Sequence, residues 1–174
     1  ALGLSAISLP AGAARFDDSA SGRWGTSFGQ NNEYGGRLTD KSWPIVVGRD
    51  NRLAPENNAA TYGNPASATV MGRDNNFTSS MEFVVFGDRN ELKAGNVSTV
   101  IGTRNRIVNT QGNSNRYLTV VGNNVVATNP AAWGVYIGNN VQANSSPISI
   151  GNGVYSEIGG SAIGHNISVR ARNT

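Results

Sequence analysis

Cysteine is absent from this chain of 174 residues. That excludes a disulfide framework, a thiolate nucleophile and any cysteine metal ligand. Histidine is nearly absent as well. His165 is the only one, so no second imidazole completes a metal site with it, and any Ser-His-Asp arrangement would rest on it alone. Charge is sparse: Lys, Arg, Asp and Glu make up 14% of the residues, with a net formal charge of +3. The arginines are interspersed with acids, which argues against the concentrated basic patch that nucleic acid requires. No apolar run approaches the length of a membrane span, and no basic, apolar, small-residue signal opens the chain. A start at Ala1 is expected of a fragment or a processed product. The apolar fraction, 38%, is low for a compact globular core. It suits a quasi-one-dimensional array better.

Glycine and asparagine are plentiful instead. There are 22 glycines, and asparagine is about as frequent; both residues accept positive φ and mark turns. They recur in one unit, a short apolar run followed by Gly, two polar residues, Asn or Val, and further apolar residues. Aligned on the Gly, the copies are IVVGRDNRL from Ile45, TVMGRDNNF from Thr69, VVFGDRNEL from Val84, TVIGTRNRI from Thr99, TVVGNNVVA from Thr119, VYIGNNVQA from Val135, ISIGNGVYS from Ile148 and SAIGHNISV from Ser161. Glu157, Ile158 and Gly159 read as a truncated copy. Such self-similarity is the signature of a parallel β-solenoid. The expected organisation is a cap or junction over residues 1–44, rich in Gly, Ser and aromatics, and a repeat domain over 45–174.

Side chains alternate across a strand, so residues one and three before each Gly share a face, and the residue between them takes the other. Val47, Met71, Phe86, Ile101, Val121, Ile137, Ile150, Ile158 and Ile163 form the first column, and Ile45, Thr69, Val84, Thr99, Thr119, Val135 and Ile148 form the second. These two are expected to face the interior. The column between them, Val46, Val70, Val85, Val100, Val120 and Tyr136, is apolar too. A strand that is apolar on both sides requires cover on both sides. A narrow solenoid covers only one, so this middle column is expected to form the interface with further copies of the chain. The turn is expected to be a ladder of Gly48, Gly72, Gly87, Gly102, Gly122 and Gly138, followed by Asn51, Asn75, Asn90 and Asn105, whose amides bond along the stack in a left-handed stretch of backbone. Val125, Val141 and Val154 replace Asn in later copies.

The run from Val85 to Val125 resembles the YadA-like head repeats of trimeric autotransporter adhesins, on Gly87, Asn90, Gly95, Ser98, Val100, Gly102, Asn105, Gly112, Val120 and Gly122, with Ala162, Ile163 and Gly164 as a late copy. The resemblance covers about Ile45 to Arg170 and implies a left-handed parallel β-roll, three chains side by side, outside a bacterium, attached to matrix proteins or host cells. Similar Gly and Asn repeats are at home in bacteriophage tail fibres and tailspikes. That makes a virion tail bound to bacterial surface polysaccharide the alternative.

Successive glycines lie 24, 15, 15, 20, 16 and 13 residues apart from Gly48 to Gly151. The surplus residues are expected to leave the ladder as loops at Ala54 to Ser67, Asn109 to Asn115 and Ala127 to Gly134, where binding commonly resides. Trp24, Tyr62, Tyr117 and Trp133 are the candidate receptor contacts, their faces suited to a host glycan or a matrix protein. A hydrolytic site would need paired carboxylates across a cleft. Asp50, Asp74 and Asp88 could stack, but each has a neighbouring Arg and occupies a surface corner. The expectation is therefore a protein without catalysis or cofactor.

Overall fold

The computed structural model describes residues 15–16, 26–34, 44–53, 67–78, 82–93, 97–108, 117–130, 133–157 and 159–170. They form an all-β parallel solenoid with two facing sheets. The first sheet holds the longer strands: β2 (Thr26–Gln30), β4 (Ile45–Arg49), β6 (Ser67–Arg73), β8 (Glu82–Phe86), β10 (Val97–Thr103), β12 (Tyr117–Asn123), β14 (Trp133–Asn139), β16 (Ile148–Asn152) and β18 (Ala162–His165). The second sheet begins with β1 (Arg15–Phe16) and β3 (Glu33–Tyr34) and continues with short strands, among them β7 (Asn76–Thr78), β9 (Glu91–Lys93), β11 (Arg106–Val108), β13 (Val126–Thr128) and β15 (Gln142–Asn144). From β2 on, each long strand plus the short strand after it makes one coil, and each coil pairs only with its neighbours. All the pairings are in parallel register, with Val100 against Val120 and Gly102 against Gly122, for example.

The interior lies between the sheets, and it reverses the expected assignment of faces. Val46, Val70, Val85, Val100, Val120 and Tyr136 are 0% exposed within a single chain. They line its own core, so they do not form an interface between chains. Leu53, Phe77, Leu92, Ile107, Ala127 and Ala143 of the second sheet are buried with them in one cluster. The columns on either side point outward. Period-two alternation separates two faces without saying which is inside. Here the narrow cavity takes the column of uniform, compact valines, while Thr69, Thr99, Thr119, Met71 and Phe86 stand on the outer face. Where the large Tyr136 enters the column, the surrounding positions shrink. Gly134 has room for no Cβ, which would lie 2.6 Å from the Tyr136 hydroxyl, and that hydroxyl donates to the Ser146 carbonyl at 2.6 Å.

The ladder also starts earlier than the sequence boundary at residue 45. Thr26–Gln30 pairs with Ile45–Arg49, Gly29 against Gly48, and Asn32 opens the asparagine stack. Ser27 stands in the register of Val46, which hides the copy from an apolar pattern; the Gly29, Asn31, Asn32 spacing was the available signal. Two further expectations are corrected. Residues 127–134 are not one loop, because Val126–Thr128 and Trp133–Asn139 are strands. Gly159 belongs to a connecting turn, in which the Gly160 N–H donates to the Glu157 carbonyl, and Gly151 pairs directly with Gly164. The loop expected at residues 54–67 lies outside the described residues except for Ser67, which begins β6, and that at 109–115 lies wholly outside them.

Asn32, Asn51, Asn75, Asn90 and Asn105 are buried; each amide donates forward to the ladder-glycine carbonyl of the next coil, and those of Asn51, Asn75 and Asn90 also donate back to the preceding asparagine. The Asn75 amide donates to Asn51 Oδ1 at 2.9 Å and to the Gly87 carbonyl at 2.7 Å. Its oxygen accepts from the Asn90 backbone N–H and side-chain amide, both at 3.0 Å. The left-handed residue is the one before each asparagine, with φ of 56° at Asp50 and Asp74 and 57° at Arg89. That residue turns the chain so that the next amide points inward. Asn75→Ala leaves the Gly87 carbonyl and the Asn90 N–H without partners at a buried site, and each such loss costs about 1–3 kcal/mol. The expected result is a drop of about 2–5 kcal/mol in unfolding free energy, read from urea melts, whereas Asn76→Ala, on an exposed neighbour, changes it by less than about 0.5 kcal/mol.

Candidate functional site

Two features of the outer surface remain once the core is assigned. The first is the outward column one residue before each ladder glycine: Phe28, Val47, Met71, Phe86, Ile101, Val121, Ile137, Ile150 and Ile163. All nine are apolar, and Phe28, Met71, Phe86, Ile101 and Ile163 are exposed. Eight intervals of about 4.8 Å make the stripe about 38 Å tall. With the column beside it, which is apolar at Ile45, Val84, Val135 and Ile148, it makes an extended apolar face, the kind of surface that marks a contact between molecules.

The second feature is at the start of β12 and β14. Tyr117 and Trp133 pair across adjacent coils, and their rings stack with centroids 4.5 Å apart and planes 11° from parallel. Alternation puts Thr119 on the outer face with Tyr117, and Val135 there with Trp133. Thr99 of β10 aligns with both through the register Thr99, Thr119, Val135. The stack and these side chains border an open cavity of about 340 Å³. No charged residue is among the described residues that line it. Trp133 is 70% exposed although one ring face rests on Tyr117. The next strand, β16, starts opposite Val135 and leaves Trp133 unpaired on that side.

The corner after each ladder glycine is polar. Arg73 Nε lies 3.1 Å from Asp88 Oδ2, Arg89 Nε 3.8 Å from Asp74 Oδ2 and Arg49 Nε 3.9 Å from Asp50 Oδ2, and beyond the corner, on the short strands β11 and β9, Arg106 Nε lies 2.8 Å from Glu91 Oε2. In later coils amides take over, with the Asn124 amide donating to Asn140 Oδ1 at 2.9 Å. Each of Asp50, Asp74 and Asp88 thus faces solvent with a guanidinium beside it. His165 is exposed too, with Nε2 3.0 Å from the Asn166 amide. Farther along, the Tyr155 phenol donates to Glu157 Oε1 at 2.5 Å. That bond to a carboxylate raises the phenol above its ordinary pKa, with smaller contributions from burial and the charge of Glu157. Among the described residues, no three His, Cys, Asp or Glu side chains form a metal-holding group, and no helix is long and apolar enough to cross a membrane.

The expected site residues therefore fall in three places. The six interface candidates are in the core, Gly48 through Gly138 and Asn51 through Asn105 form the turn ladder, and Tyr117 and Trp133 come together on the outer face. Trp24 and Tyr62 lie outside the described residues. Sequence reasoning missed the outward stripe as a contact surface. The signal was its mixture of Met, Phe and Ile, sizes too varied for a narrow, uniform interior. No family model, curated protein or solved structure matches the chain.

Proposed function

We propose that this chain is a non-catalytic segment of a homotrimeric extracellular fibre or head, a left-handed roll that projects from a bacterial or virion surface and attaches it to a cell. The observation that carries the reading is the outward apolar stripe from Phe28 to Ile163. It is continuous over nine coils and stands on a rigid sheet that offers it no cover within the described residues. Three copies meeting along this stripe satisfy the demand for cover, and the Val46 to Tyr136 column has no part in it. The number three comes from the resemblance to adhesin head repeats. Attachment suits a surface of loops and aromatic faces on a repetitive scaffold, since three weak sites on one rod gain from high effective concentration.

The test is solution mass by light scattering, followed by binding of labelled protein to intact cells. The expected mass is three times the 18.2 kDa of the chain, persisting on dilution, with saturable binding to the surface. A monomer or dimer at micromolar concentration, or a trimer that binds no cell, overturns the proposal. Ile101→Asp puts a charge into the middle of the stripe without entering the core. It is expected to reduce the mass to that of one chain while the β-sheet circular dichroism persists. Arg104→Ala, at the polar corner, is expected to leave the mass unchanged. An undiminished trimer carrying Ile101→Asp shows that the stripe is not the interface.

A further inference from the structure

We infer that the groove along the glycine ladder of the first four coils is a binding site for the carboxylate of a uronate sugar, with Arg49 and Gln30 as its donors. A cavity of about 460 Å³ lies there, floored by Gly29, Gly48 and Gly72 and walled by Gln30, Arg49, Arg73 and Asp88. The floor is glycine for a structural reason: a Cβ on Gly48 would lie 1.8 Å from the Gly72 carbonyl oxygen. The result is a strip without side chains, which a pyranose ring can approach closely. The wall is high only here. Later coils carry the short Thr103, Asn123, Asn139 and Asn152 in the column that Arg49 and Arg73 occupy.

The charges of the wall select the ligand. Gln30, Arg49 and Arg73 are in register on adjacent coils, about 4.8 Å apart. Like charges at that spacing repel, and only one of the two is answered within the groove. Asp88 accepts from the Arg73 backbone N–H and Nε, both at 3.1 Å. Arg49 Nε lies 3.9 Å from Asp50 Oδ2, too far for a hydrogen bond. Asp50, in the left-handed turn, accepts from the Asn31 amide and does not line the cavity. The Gln30 side chain has no partner among the described residues. Two guanidinium groups against one carboxylate leave the lining with one positive charge in excess, an open guanidinium fork beside an open amide. A planar monoanion answers both, because a carboxylate takes the fork of Arg49 and the N–H of Gln30. The hydroxyls of the same sugar meet the Arg73 and Asp88 pair, which both donates and accepts. A phosphodiester polymer needs a run of cations, and the acids of this corner interrupt it. None of the stripe residues lines the cavity, so assembly leaves it at the polar rim of the interface. This inference deepens the attachment reading and rests on it.

Saturation-transfer NMR on the full chain tests it, with oligomers of galacturonate and glucuronate, their neutral galactose and glucose counterparts, and polyglutamate. The expected result is transfer to at least one uronate series, with its neutral counterpart bound roughly tenfold more weakly or less well still. Arg49→Gln, which removes the charge, is expected to weaken uronate binding roughly tenfold or more, and Arg49→Lys to restore part of that loss. Gln30→Ala should weaken it several-fold. Both residues are exposed, so solution mass and circular dichroism should stay unchanged in these variants. Arg104→Ala, which removes an exposed cation outside the cavity, should leave uronate binding as it was. Transfer to no uronate, equal binding of neutral sugars or of polyglutamate, or uronate binding that survives Arg49→Gln overturns the inference, as does an equal loss with Arg104→Ala. Cell binding separates the two proposals. Wild-type protein that binds cells but no uronate leaves attachment standing and removes the groove site; protein that binds uronates but no cell does the reverse.

Discussion

Val100→Asp is expected to abolish folding of the central coils. Val100 is 0% exposed between Val85 and Val120 in its own sheet, so the carboxylate enters an apolar interior with no cation to meet it. Burying an unpaired charge costs several kcal/mol even after the protein relaxes, and removing the valine forfeits its own burial. The sum, on the order of 5 kcal/mol or more, is comparable with the whole stability of an ordinary domain. Each coil contacts only its neighbours, so the break interrupts the column on both sides. Thermal and urea melts should show loss of the cooperative transition. Val100→Thr, which keeps the shape and adds one buried hydroxyl, should cost only about 1–3 kcal/mol. The contrast with Ile101→Asp is the sharper part of the expectation. Neighbouring residues on opposite faces of one strand should fail differently, Val100 by unfolding and Ile101 by dissociation. A folded monomer carrying Val100→Asp would place that side chain outside the core and undo the face assignment.

Gly102→Ala is expected to be as damaging for a different reason. Gly102 has φ of +122°, and a Cβ there would lie 1.8 Å from the Gly122 carbonyl oxygen, with the Gly122 carbon at 2.8 Å. The obstacle is backbone that is itself hydrogen-bonded in the next coil, so neither party yields. Relief requires the coils to separate, which breaks the ladder between β10 and β12 and pulls the Asn105 amide from the Gly122 carbonyl that it bonds at 3.0 Å. Loss of several kcal/mol follows, together with a melting temperature lower by roughly 10 °C or more. Gly159 is the control. It also has positive φ, at +71°, but nothing lies within 4 Å of the added carbon, so Gly159→Ala should cost only the backbone penalty of about 1–2 kcal/mol. Equal costs for the two substitutions would show that conformational strain alone, and not the close approach of coils, fixes glycine in the ladder.

The repeat, the parallel solenoid, the spacing of glycines and the asparagine stack were legible in the sequence because each follows from short-range pattern. A coil must return to the same register, so its turn residues recur at a fixed place. The tertiary structure decided which of two apolar faces is the interior, because alternation is symmetric and only the opposing sheet, with Leu53, Phe77, Leu92 and Ile107, closes over one of them. It also decided that Tyr117 and Trp133, each five residues before a ladder glycine, stack ring on ring, since the glycine alignment gives their register but not that both strands extend back to them. It placed the first coil at Thr26, where a serine in the core register conceals what the backbone repeats. Sequence, in short-range pattern, determined what the coil is made of; the closure of one sheet over another decided what it hides and what it presents.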